Sequence, residues 1–252
     1  MSTQQQTHEV AQKVALVTGA SRGIGAAIAR RLASDGFTVV INYAGNEAEA
    51  SALANEIERS GARALIAQAD VSDPKAVARM FDAAEAAFGG IDVLVNNAGI
   101  MKLASLAESD DALIDSQIAI NLKGSLYTMR EAARRLRSGG RVINLSTSVV
   151  GLYLPTYAAY VATKAAVEAV THVLSKEMRG RNITVNAVAP GPTGTDLFLN
   201  GKPQAVIDQM SKAAPLERLG RPEDIANTVA FLAGPDGAWV NGQVLRANGG
   251  IV

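Results

Sequence analysis

Short apolar, β-branched runs alternate along the chain with longer stretches whose apolar residues recur every three or four positions, the two signatures of strand and amphipathic helix. Strands are expected at residues 13–17, 38–42, 64–67, 93–95, 141–145, 183–188 and 243–246. Helices are expected at 26–33, 47–60, 74–88, 110–137, 156–179 and 222–233, with two short helices over an opening within 193–214. The punctuation agrees with this reading. Ser72-Asp73-Pro74 reads as a cap followed by a first-turn proline, and Gly61, Gly89-Gly90 and Gly139-Gly140 stand where helices should stop. Strands regularly separated by helices need right-handed crossovers, so the pattern predicts an α/β fold: a doubly wound parallel sheet of about seven strands with helices on both faces. Ligands in such sheets bind beyond the carboxyl ends of the strands. The loops after Val17, Ile41, Ala67, Val95, Leu145 and Val188 are therefore the ones to search.

Composition narrows the function. The 252 residues carry 24 basic and 24 acidic side chains, a balance that does not favour a nucleic-acid surface. No cysteine is present, which removes disulfides and thiolate metal sites, and the two histidines, His8 and His172, are too few and too dispersed for a histidine metal centre. No metal is expected. The chain has no run of the ~18 apolar residues a membrane span requires. Residues 1–12 are polar and glutamine-rich, so they read as a disordered tail ahead of a single domain at 13–252, and a soluble cytoplasmic protein is expected.

Between the first strand and the first helix lies Thr18-Gly19-Ala20-Ser21-Arg22-Gly23-Ile24-Gly25. Glycines there let the backbone turn sharply and approach a ligand, while the helix behind offers free N–H groups and a positive dipole end to phosphate. The second candidate is Tyr160-Val161-Ala162-Thr163-Lys164, where a phenol and an ammonium share one helix face about 6 Å apart along the axis. A neighbouring cation favours phenolate, so Lys164 is expected to lower the pKa of Tyr160 toward working pH. The hydroxyl cluster Ser146-Thr147-Ser148 closes the strand just before this helix.

With Asn96-Asn97-Ala98-Gly99 and Pro190-Gly191 added at two further strand ends, the chain resembles the short-chain dehydrogenase/reductase family over nearly its whole length. The stretches 215–224 and 240–243 are similar to those of 3-oxoacyl-carrier-protein reductases and tetrahydroxynaphthalene-reductase-like members. The short helices within 193–214 are expected to form a substrate lid, and the resemblance implies a Rossmann-like fold and a homotetramer contacting through the 110–137 and 156–179 helices. It makes Tyr160 the general acid and base, Lys164 its electrostatic partner and a holder of ribose hydroxyls, and Asn121 the anchor of a water leading from Lys164 to solvent. The family's carbonyl-binding serine falls on Thr147 by the frequent thirteen-residue count and on Ser148 by the pattern Ser148-Val149-Val150-Gly151; Ser148 is preferred, with a loop one residue shorter.

The cofactor expected is NADP(H). NAD-selective sites place a carboxylate at the end of the second strand. This chain has Asn42-Tyr43-Ala44-Gly45-Asn46 instead, and Arg22 is available to pair with a 2′-phosphate. Gly19, Ser21, Arg22, Gly23, Ile24 and Gly25 should hold the phosphates, Asn42, Tyr43 and Ala44 the ribose end, and, as the resemblance implies, Asp70 and Val71 the adenine. Asn97, Ala98 and Gly99 should line the cleft, with Pro190, Gly191, Thr193 and Thr195 on the nicotinamide side. Tyr153, Leu154, Tyr157, Phe198 and Leu199 are candidates for an apolar substrate wall. The implied activity is carbonyl reduction to an alcohol; a silent NADP(H)-binding sensor and a lyase or epimerase are the alternatives, since a fold does not fix a reaction.

Overall fold

The computed structural model describes residues 12–252. The expected tail lies outside the described residues except for Gln12, whose amide donates to the Gly36 carbonyl (2.9 Å) and accepts from the Thr38 hydroxyl (3.1 Å), so that residue belongs to the fold.

Seven parallel strands form one sheet in the order β3-β2-β1-β4-β5-β6-β7. They are β1 (Val14–Val17), β2 (Thr38–Tyr43), β3 (Ala64–Gln68), β4 (Ile91–Asn96), β5 (Leu136–Leu145), β6 (Thr184–Pro190) and β7 (Val244–Ala247). Side chains alternate across the sheet. Ala15 and Val17 face a core shared with α1 (Gly23–Ser34), α2 (Glu47–Arg59) and α10 (Pro222–Ala233). Val14 and Leu16 face the opposite core, shared with α3 (Pro74–Phe88), α5 (Ser125–Arg135) and α7 (Ala158–Glu177). Leu16, Ile28, Ile41, Phe81 and Leu94 are fully buried, each stabilising the fold by about 1.5–3 kcal/mol. Because both faces are covered, the strands read as continuous apolar runs.

Local chemistry sets the helix ends. The Asp73 side chain accepts from the Lys75 N–H with Pro74 in the first turn, and Asn46 caps α2 by accepting from the Glu49 N–H. The strand order reverses between β1 and β4, which opens a crevice at their carboxyl ends.

Two elements differ from expectation. The long helix over 110–137 is divided into α4 (Asp111–Gln117), a π-helical segment Ile118–Gly124 and α5, which ends at Arg135. Strand β5 begins at Leu136, five residues early, because Leu136 pairs with Ile91 across a register shift, and Arg137 is held there by Asp92 (2.9 Å) and the Phe88 carbonyl (3.2 Å). The short α6 (Val149–Leu152) follows the hydroxyl cluster, while α8 (Asp196–Leu199) and α9 (Gln204–Ala213) supply the two helices expected over the opening.

Candidate active site

The glycine turn is built from beneath. Gly19 has φ +59°, and a Cβ there would lie 2.8 Å from the Ala98 Cα; a Cβ at Gly25 would overlap the Gly19 carbonyl and lie 2.5 Å from Asn97 Nδ2. Asn97 Nδ2 donates to the Thr18 and Gly19 carbonyls (both 2.9 Å), and the Thr18 hydroxyl accepts from the Asn97 and Ala98 N–H groups (both 3.0 Å). Asn42 is a support of the same kind. Its Oδ1 accepts from the Gly19 N–H (3.0 Å) and its amide donates to the Ala67 (3.1 Å) and Ala69 (3.0 Å) carbonyls. Expected at the ribose end, Asn42 lines the cavity there, with its amide bonded to the backbone beneath.

Above this frame opens a cavity of about 490 Å³ lined by Gly19, Ser21, Arg22, Gly23, Ile24, Gly25, Tyr43, Ala44, Asp70, Val71, Asn97, Ala98 and Gly99, with Asn42 at its floor. The sequence had not singled out Asn46, Glu49, Ile100, Ile120 and Asp196, which also line it. Asn46 carried a signal, a capping residue ahead of a helix pattern; Ile120 and Asp196 carried none. No side chain caps the start of α1 at Arg22, which leaves first-turn N–H groups for a ligand. The Asp70 carboxylate accepts from the Ser72 N–H (2.8 Å) and hydroxyl (2.7 Å), which fixes its turn.

A second cavity of about 130 Å³ adjoins the first, sharing Ile24, Asn97, Gly99, Thr195 and Leu197 with it. Tyr160, Lys164, Ser146, Thr147, Ser148, Pro190, Gly191 and Thr193 meet here. Of the candidate wall, Leu154, Tyr157 and Phe198 line it; Tyr153, 78% exposed, and Leu199 do not, and Leu152, Leu197, Met101 and Met210 take their place. Position near a motif says nothing about which way a loop side chain turns.

Tyr160 and Lys164 are both buried, with Lys164 Nζ 5.9 Å from the Tyr160 ring centroid and donating to the Leu145 carbonyl at 2.7 Å. Burial pushes the phenol up to about 12, against the pull of the neighbouring Thr147 hydroxyl, and pushes the ammonium down to about 8. The expected lowering of the phenol is thus reversed, because desolvation outweighs a cation that spends its hydrogen bond on a carbonyl. The phenol is a neutral proton donor. Both hydroxyl candidates line this cavity with Tyr160: the Thr147 hydroxyl acts on the phenol, and the Ser148 hydroxyl donates to the Ala189 carbonyl (3.1 Å). Asn121 lies in the π-helical segment, its amide clasping Ile100 by accepting from the N–H and donating to the carbonyl (both 2.8 Å). A Cβ on Gly99 would lie 3.2 Å from Asn121 Oδ1 and 3.7 Å from Lys164 Nζ, so the two side chains meet at that glycine.

A dinucleotide-sized cleft at the switch point of a parallel sheet, opening on a buried phenol and ammonium, defines a nicotinamide-dependent oxidoreductase. A family model described as enoyl-(acyl carrier protein) reductase matches residues 19–252. A short-chain type dehydrogenase/reductase of Picea abies is 48% identical over 95% of this chain and 92% of its own. An NADPH-dependent aldehyde reductase-like chloroplastic protein of Arabidopsis thaliana is 43% identical over 96% and 95%. The crystal structure of a short-chain dehydrogenase from Burkholderia cenocepacia in complex with NADP superimposes with a TM-score of 0.91 at 40% identity, covering 96% of this chain and 98% of that one. The chain belongs to the short-chain dehydrogenase/reductase family, and it is an NADP-dependent oxidoreductase.

The residues fit NADP(H): the α1 N-terminus is uncapped, and among the described residues Arg22, at the cavity wall, has no carboxylate partner. Gly25→Ala should therefore act on both fold and binding. Forcing a methyl against backbone costs about 1–3 kcal/mol, so a lowered melting temperature and weakened NADPH titration are expected together. An unchanged titration would mean that the turn is not the phosphate cradle.

Proposed function

We propose that the protein reduces a carbonyl of the ketone or 3-oxo ester type to an alcohol, reversibly, with Tyr160 as general acid. The observation that carries this is the buried, neutral phenol of Tyr160 in the smaller cavity, which adjoins the dinucleotide cleft, beside the Thr147 hydroxyl and Lys164. NADPH, when bound, supplies the hydride. As negative charge develops on the carbonyl oxygen, hydrogen bonds from Tyr160 and from Thr147 or Ser148 stabilise it. Tyr160 then releases its proton to that oxygen, and the Lys164 ammonium lowers the cost of the phenolate left behind. Asn121, meeting Lys164 at Gly99, anchors the water through which the proton is replaced. In alcohol oxidation the phenolate is the base.

Thr193 and Thr195 hold the nicotinamide side, together with Pro190 and Gly191. Residues 193–214 form a lid on a single domain spanning 13–252. Support for the lid comes from Thr195, which would touch a side chain at Gly23 (3.6 Å), and from Leu197, Phe198 and Met210 in the substrate cavity. A cytoplasmic homotetramer joined through α4, α5 and α7 completes the reading, supported by the exposed Leu126 and Val173 on those helices. Among the described residues no helix is long and apolar enough to cross a membrane.

Absorbance at 340 nm, the reduced-nicotinamide band, tests the proposal with NADPH and NADH against ketones, β-oxo esters and aldehydes. Turnover of a carbonyl is expected; NADPH binding without turnover of any would refute it and favour a silent sensor. In the same assay Arg22→Gln should lower kcat/KM for NADPH about 10- to 100-fold, the worth of a charge-assisted phosphate contact, while leaving NADH nearly unaffected. Equal losses with both cofactors would place the guanidinium elsewhere.

A further inference from the structure

We propose that Tyr157 is a second substrate-binding phenol, one that selects ketones bearing another carbonyl oxygen within two carbons of the one reduced. This deepens the reductase reading and rests on it.

Tyr157 stands one turn before Tyr160, where residues three apart share a helix face. The two rings meet edge to face, 6.4 Å between centroids at 65°. Tyr157 is 7% exposed and lines the substrate cavity among Leu152, Leu154, Phe198 and Met210, all of them apolar. Yet among the described residues its hydroxyl has no hydrogen-bond partner, and its oxygen is not sealed into the protein. Phenylalanine would fill the same wall without presenting a hydroxyl to the cavity, so the group is best explained by an acceptor that arrives with the substrate. Burial also pushes the Tyr157 phenol up, which keeps it a donor at any working pH.

The backbone that delivers Tyr157 is strained. Tyr153 (φ +51°) and Thr156 (φ +71°) both take left-handed conformations, and for a β-branched threonine that is a rare state. Such strain persists only where surrounding contacts impose it. Here the Tyr153 N–H donates to the Val149 carbonyl (3.0 Å), and the Thr156 carbonyl accepts from the Ala104 N–H (3.2 Å). The loop is thereby pinned at both ends, and the phenol at its close is fixed beside the acid. Two phenols lining one cavity, with ring centroids 6.4 Å apart, suit a molecule that carries two acceptor oxygens a few ångströms apart. Dicarbonyl compounds meet that condition; a simple ketone meets half of it.

The test compares acetylacetone with diethyl ketone in NADPH oxidation by wild type and Tyr157→Phe. The ratio of their kcat/KM values, diketone over monoketone, should fall about tenfold or more in the variant, since a site built to bond an oxygen discriminates through that bond. An unchanged ratio overturns the proposal, including the case in which both substrates lose equally because the ring merely packs Tyr160. Calorimetric titration of acetylacetone into the NADP+-loaded protein gives a second decision independent of turnover: affinity should drop in the variant, and equal affinity overturns the proposal. If wild type reduces no carbonyl while the titration still separates the two proteins, the reductase reading fails and the binding role of Tyr157 stands.

Discussion

Tyr160→Phe should lower kcat for carbonyl reduction by between about 10²- and 10⁴-fold, the usual worth of a positioned general acid, while NADPH binding and the fold remain. The change is narrow in structural terms. The ring stays in place, 8% exposed, and one hydroxyl beside Thr147 is removed, at a cost of about 1 kcal/mol in stability. On the proposed mechanism its chemical consequence should be large, because a phenol pushed up to about 12 would hold its proton until a carbonyl oxygen gains charge beside it. Single-turnover mixing with NADPH, together with a melting curve, separates the two effects. A loss below tenfold would transfer the acid to another group, of which the Thr147 hydroxyl is nearest to hand. Thr147→Val and Ser148→Ala, measured alongside, would then decide which hydroxyl polarises the carbonyl.

The chain made its architecture legible because strands buried on both faces carry short unbroken apolar runs: β1 and β2 are buried throughout, with Val14–Val17 apolar in the first and Val39-Val40-Ile41 in the second. Helix ends were legible wherever a local bond decides them, as at Asp73-Pro74 and Gly89. Features set by distant partners were not. Leu136-Arg137-Ser138-Gly139-Gly140 reads as a helix end and a turn, and becomes strand only because Ile91 pairs with Leu136 and Asp92 binds Arg137. The π-helical segment at Ile118–Gly124 has no periodic signature of its own; Asn121 within it bonds the backbone of Ile100, some twenty residues earlier.

The site shows the same division. Spacing was enough to set Tyr160 beside Lys164 and to mark the glycine turn, since each of those lies within one helix or one turn; the parallel sheet is what brings them to adjoining cavities. Spacing could not tell that Asn42 would spend its amide on Gly19, Ala67 and Ala69, or that Tyr153 would face solvent while Tyr157 faced the cavity. Nor could it weigh burial against charge. The cation expected to acidify Tyr160 stands in the right place, but in the protein without ligand desolvation governs both groups.

That desolvation makes Lys164 costly to the fold, and Lys164→Met exposes the cost. The ammonium has its ordinary pKa of 10.5 in the unfolded chain and about 8 when folded. Between those values the unfolded state binds the proton and the folded state does not, so wild-type stability should rise with pH across that interval. The gain is fully present above 10.5 and is lost as pH falls through about 8; it is on the order of 3 kcal/mol. The methionine variant leaves the Leu145 carbonyl without its donor, a penalty that does not vary with pH, so the informative quantity is how the difference between the two melting curves changes between pH 7 and pH 10. Parallel curves would mean that the ammonium is hydrated in solution. Catalysis should show the complementary limb. Reduction by wild type weakens as pH climbs through about 8 and the cation beside Tyr160 is lost, whereas the variant is slow throughout, by about 10²-fold or more. Both results together would mean that a lysine which destabilises the fold is held there by function, as is usual when stability and activity compete at one position.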